Sequence, residues 1–96
     1  MAHIETDVNE YRTAVGADGQ LVDVREPAEV AAGMLPDAVN IPMSKFVERV
    51  NELDPERPVV LVCRSGNRSG QVAEYLVGHG FTKVVNLTGG MMRYSG

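Results

Sequence analysis

The sequence predicts an α/β fold built on a mainly parallel sheet. Two observations carry this. Short apolar runs alternate with segments of helical spacing along the chain. The run Val59-Val60-Leu61-Val62 shows no polar alternation, as expected of a strand buried on both faces of a parallel sheet. The 96 residues read as one domain, 1–96, large enough for a single core but not for two.

The elements run in order from the N-terminus. Asp7 reads as the N-cap of a first helix, with Glu10 three residues on as its capping-box partner. Val8, Tyr11, Ala14 and Val15 share one face of that helix, and Gly16 to Gly19 end it. Gln20 to Val24 is a short strand, and Glu26 to Ala32 a short helix with Pro27 in its first turn. Ala38 to Ile41 is a second apolar run, stopped by Pro42. Ser44 is placed to cap the next helix, whose apolar positions are Phe46, Val47, Val50 and Leu53. Asp54 to Pro58 is a turn before the strand Val59 to Val62. The next helix begins near Ser69, packs through Val72, Ala73, Leu76 and Val77, and ends near Gly78-His79-Gly80. Lys83 to Leu87 is the last strand, and Thr88-Gly89-Gly90 leads into a short helical tail.

Composition narrows the function. The chain is 44% hydrophobic and 23% charged, with a net charge of −4. A nucleic-acid partner would require a positive footprint, so none is expected. No apolar run approaches the roughly 20 residues needed to span a bilayer, and no membrane association is expected. Residues 1–7 lack the basic and apolar regions of a signal peptide, which points to the cytoplasm. The single cysteine cannot form an internal disulfide. With two histidines beside it, no metal site or cofactor is expected.

The chemistry gathers at Cys63-Arg64-Ser65-Gly66-Asn67-Arg68-Ser69. A lone cysteine is commonly just a small buried hydrophobe. Here a strand delivers it into a loop of small and cationic residues, ahead of a helix N-terminus. Sites in α/β sheets form beyond the carboxyl ends of strands. Cations and helix N-termini lower a thiol pKa from roughly 8.5 to about 3.5–7.5, and only the thiolate is nucleophilic. Loop amides form an anion nest, Gly66 permits positive φ, Asn67 tolerates left-handed geometry, and Arg64 and Arg68 supply charge for a small anion.

The loop resembles the active-site loop of single-domain rhodaneses, the thiosulfate sulfurtransferases. Three further stretches resemble that family's signatures in order: Leu21 to Glu26, Gly33 to Pro42, and Gly80-Phe81 with Val84 to Leu87 and Gly89 to Met91. The resemblance implies a three-layer α/β/α arrangement with a sheet of about five strands. It also implies that Cys63 takes a sulfane sulfur from thiosulfate or a persulfide donor, becomes a persulfide, and passes the sulfur to cyanide or a thiol. The acceptor class includes a thioredoxin-like or other protein thiol. The amides and side chains of Arg64, Ser65, Gly66, Asn67, Arg68 and Ser69 would bind the donor and persulfide. Transfer at sulfur depends on thiolate fraction and leaving-group acidity, so no general acid is obligatory.

Three other readings stay open. A carrier module would hold sulfur for one protein partner with little turnover on free substrates. A phosphatase or arsenate reductase loop resembles Cys, five residues, then Arg, whereas here Ser69 falls at that position and Arg68 one step early. A redox sensor would use the same acidic thiol.

Other polar residues are read as structural. Asp23 and Arg25 are expected in an ion-pair network with Glu26 or Glu29. His3 and His79 receive no role, and Met91 and Met92 are assigned to packing. Gly89-Gly90 reads as a close-packed turn rather than a phosphate loop. Met34, Asp37 and Tyr94 depart from the family pattern, which there favours histidine, glycine and tryptophan.

Overall fold

The apolar run becomes strand β4 (Val59–Val62), and all its residues are buried. The computed structural model describes residues 2–96, and Met1 lies outside them. The other strands are β1 (Ile4–Asp7), β2 (Gln20–Asp23), β3 (Val39–Asn40) and β5 (Val84–Thr88). They form one parallel sheet in the order β1-β5-β4-β2-β3, with β4 at its centre. The helices are α1 (Tyr11–Val15), α2 (Pro27–Val30), α3 (Phe46–Arg49), α4 (Asn67–Val77) and α5 (Gly90–Arg93).

Alternation along β4 divides the core between the two faces of the sheet. Val59, Leu61 and Cys63 pack with Phe46 of α3 and with Val72, Ala73 and Leu76 of α4. Val60 and Val62 pack on the other side with Val8, Tyr11, Leu35 and Leu87. Each fully buried aliphatic side chain contributes roughly 1.5–3 kcal/mol, so this double-sided burial holds β4 rigidly. No helix among the described residues is long and apolar enough to cross a membrane.

Several expectations are corrected. β1 has no counterpart in the sequence pattern, because Ile4-Glu5-Thr6-Asp7 is largely polar and exposed; its strand character comes from pairing with β5. Asp7 does act as an N-cap, accepting from the Asn9 N–H at 2.9 Å, but the turn it caps is a 3-10 helix over Val8–Glu10. Ser44 caps nothing: its hydroxyl donates to Glu26 at 2.7 Å, and Pro42 precedes the 3-10 turn Met43–Lys45. Val47 is 67% exposed rather than packed, since α3 is a single turn between 3-10 segments that break the helical register. α4 starts at Asn67, two residues before the expected Ser69, because Gly66 ends the loop in a left-handed conformation with φ 104°.

The departures from the family pattern find simple settings. Asp37 has φ 69°, the only positive value at a non-glycine residue among those described, which is why glycine suits the position. Tyr94 packs edge-on against Tyr11 with ring centroids 5.8 Å apart. Met34 is exposed.

Candidate active site

Cys63 directly succeeds the last residue of β4 and lies, fully buried, at the carboxyl edge of the sheet. Its Sγ accepts the Gly66 N–H at 3.0 Å and the buried Ser69 hydroxyl at 3.3 Å. Burial pushes the thiol pKa up. The Ser69 hydroxyl and N–H, with the Gly66 and Ser65 N–H groups, more than offset this and hold the pKa below its ordinary value. The first intrahelical-type bond of α4 runs from the Gly70 N–H to the Gly66 carbonyl at 3.1 Å. No group among the described residues accepts the N–H of Asn67 or Arg68. These are the unpaired donors of a helix start, suited to an anion.

The two arginines of the loop occupy different settings. Arg64 is exposed at the rim with Ser65 and Asn67. Arg68 is forked onto Glu29 of α2, donating to Oε1 at 2.7 Å and Oε2 at 2.8 Å. The Arg68 hydrogen bonds, helped by the Glu26 N–H, hold the Glu29 carboxyl at about 2. The same pairing raises the pKa of Arg68. Glu29 and Glu26 also form the capping box of α2, so the helix that starts at Pro27 fixes the carboxylate facing Arg68.

The glycine pair after β5 supports the loop from behind. Gly89 and Gly90 have φ 78° and 56°, and the N–H groups of Met91 and Met92 donate to the carbonyls of Cys63 and Arg64 at 2.9 and 3.0 Å. A Cβ on Gly90 would lie 2.4 Å from the Cys63 carbonyl oxygen. The expected close-packed turn is present, and it holds the backbone of the cysteine itself. Sequence reasoning misses that contact with the loop, although paired glycines directly behind a strand are a signal of close backbone approach.

Asp23 and Arg25 form a buried pair of their own, joined by Nη2 to Oδ2 at 2.8 Å, with Arg25 also donating to the Gly33 carbonyl at 2.7 Å. The expected bonds to Glu26 or Glu29 are absent, because the carboxylate two residues away already fills the guanidinium fork and Glu29 is taken by Arg68. His3 contacts Glu5, and His79 bonds the Tyr75 carbonyl and stacks on its ring. Neither histidine bonds the sulfur.

Comparison with known proteins is consistent across sequence and structure. Residues 7–96 match the rhodanese-like domain family. The chain is 42% identical over 92 residues to a sulfurtransferase of Allochromatium vinosum, covering 96% of this chain and 86% of that protein. It is 40% identical over 70 residues to a thiosulfate sulfurtransferase of Pseudomonas syringae, covering 73% of this chain and 66% of that one. It superposes with a TM-score of 0.83 and 35% identity on the crystal structure of a rhodanese-like domain protein from Staphylococcus aureus, covering 99% and 92% of the two chains.

Proposed function

We propose, from the premise that this chain belongs to the rhodanese-like domain family, that it is a sulfurtransferase in which Cys63 carries the sulfur. The observation that carries the reading is the ring of donors on Sγ: Gly66 N–H at 3.0 Å and the Ser69 hydroxyl at 3.3 Å, at a helix start with two unused amides. Such a ring favours the anion at every stage of the cycle.

In the first half-reaction the Cys63 thiolate attacks the outer sulfur of thiosulfate. The sulfur–sulfur bond of the donor breaks and sulfite departs with the electron pair. The persulfide anion then extends toward the free N–H groups of Asn67 and Arg68. In the second, cyanide or a thiolate attacks the terminal sulfur, the Cys63–sulfur bond breaks, and the Cys63 thiolate returns. No proton is needed at the leaving group in either step, in keeping with a loop that holds no histidine or carboxylate. Thiosulfate is the donor suggested by the name of the Pseudomonas syringae relative.

Arg64 is exposed and has no ion-pair partner among the described residues, which supports a role in drawing in the anion, whereas Arg68 is neutralised by Glu29. Cys63 has no solvent contact, so a donor reaches Sγ only through some movement of the residues that cover it. A slender anion needs the smallest movement. A phosphatase would need an arginine aimed into the loop, and the fork of Arg68 onto Glu29 disfavours it.

The test is intact mass after incubation with thiosulfate. One sulfur is added to the native chain and none to Cys63→Ser, and cyanide removes it at a rate that accounts for turnover. Discharge by a protein thiol alone would make the chain a carrier instead. Absence of added sulfur on the native chain would overturn sulfur transfer altogether.

A further inference from the structure

Asn86 is the polar residue of an otherwise apolar stretch of β5, and it is 3% exposed. An amide buried there is costly unless bonded. Its Nδ2 donates to the Gly66 carbonyl at 3.1 Å and to the Glu5 carboxylate of β1 at 3.0 and 3.2 Å. Its Oδ1 has no partner. Three oxygens around Nδ2 fix which way the amide faces, since the reverse orientation would set oxygen against oxygen. The charged acceptor on Glu5 strengthens the arrangement.

Gly66 thus bears a bond on each side. Its N–H holds Sγ, and its carbonyl accepts both the Gly70 N–H of α4 and the Asn86 amide, each at 3.1 Å. In a planar trans peptide the Gly66 carbonyl and the Asn67 N–H point in opposite directions. A bond that draws the carbonyl toward β5 therefore turns the unpaired Asn67 N–H away from β5. Glycine at φ 104° has little steric restraint of its own, so the orientation of this peptide is set by the two bonds its carbonyl accepts, from the Gly70 N–H within α4 and from Asn86 across the sheet edge.

We propose that Asn86, locked by Glu5, is a positioning residue that orients the Gly66–Asn67 peptide and so keeps the loop donors on the Cys63 sulfur. This rests on Cys63 as the nucleophile. Asn86 touches neither the sulfur nor the donor; it acts through Gly66.

The experiment tracks iodoacetamide alkylation of Cys63 against pH in the full chain, beside thermal unfolding. Asn86→Leu keeps the branched shape and removes the donor. Asn86→Ser leaves a small polar group too short to reach Gly66. In either, the alkylation profile moves to higher pH and the rate near neutrality falls about three- to tenfold, the consequence of one lost orienting hydrogen bond. The kcat for sulfur transfer falls in step, with KM little changed. Glu5→Ala, at an exposed strand position, moves the profile the same way by a smaller amount. An unmoved profile in a folded Asn86 variant overturns the proposal, since packing alone would alter only the melting temperature. Should neither Asn86 variant fold, an unmoved profile in Glu5→Ala overturns it. Alkylation needs no sulfur donor, so this failure is distinct from failure of the native chain to take up sulfur.

Discussion

Replacing Glu29 by glutamine removes the charge opposite Arg68 while keeping the length of the side chain. The native carboxyl lies at about 2 instead of 4.5, chiefly through the hydrogen bonds of Arg68. Taken whole, that shift would be worth roughly 3 kcal/mol at about 1.4 kcal/mol per unit. Both side chains are about one-third exposed, at 33% and 32%, so solvent screens the pair. About 1 kcal/mol survives, which lowers the melting temperature by about 4–8 °C in a domain of this size. The sign with pH is set by a folded pKa below the unfolded one. The contribution is complete above about pH 5 and is lost as pH falls from 4.5 toward 2, with less than about half left near pH 3. Urea titrations of native and Glu29→Gln protein should differ by about 1 kcal/mol near pH 7 and converge toward pH 3. The same change frees the Arg68 fork, and KM for thiosulfate should drop about fivefold with kcat little altered, the effect of one added surface charge. A stability gap that stays constant down to about pH 3, or an unchanged KM, would refute the reasoning.

Two further substitutions probe the loop. Ser69→Ala removes the buried hydroxyl 3.3 Å from Sγ and should raise the thiol pKa, read as an alkylation profile moved to higher pH; an unmoved profile would count against it. Gly90→Ala places a methyl 2.4 Å from the Cys63 carbonyl oxygen and 2.5 Å from that of Arg64, at a φ of 56°. Both neighbours are backbone, so the loop must yield, costing about 2–4 kcal/mol of stability together with most of the activity. A melting curve like that of the native chain would show that the turn adapts.

Much of this architecture is legible in the sequence because it is written locally. The unbroken apolar run of β4 predicts a strand buried on both faces, and that strand delivers the cysteine to the sheet edge. Val72, Ala73 and Leu76 predict the packed face of α4. What stays hidden depends on distant partners. The polar segment Ile4–Asp7 becomes a strand because Ile4 registers with Val85 across the sheet. Arg68 is claimed by a carboxylate 39 positions away, and no local pattern records that choice. Ser44 looks like a cap by composition, yet its hydroxyl is taken by Glu26, 18 positions earlier. Asn86 leaves a visible trace, a lone amide among apolar strand residues, but its target becomes apparent only with Gly66 beside it.

The pairing of β1 with β5 and the bonds from Met91 and Met92 to the cysteine segment set an order of events for the newborn chain. Contacts of such wide sequence separation form late, because loop closure must precede any gain from them. Synthesis runs from the N-terminus, so Cys63 is made well before the residues that pin its backbone. The donors on Sγ come from Gly66 and Ser69 and are made almost with the cysteine, whereas the carbonyls of Cys63 and Arg64 gain their partners only once Met91 and Met92 are in place. The backbone on the two sides of the cysteine is thus secured at different times, by a local turn on the sulfur side and by the C-terminal helix on the carbonyl side.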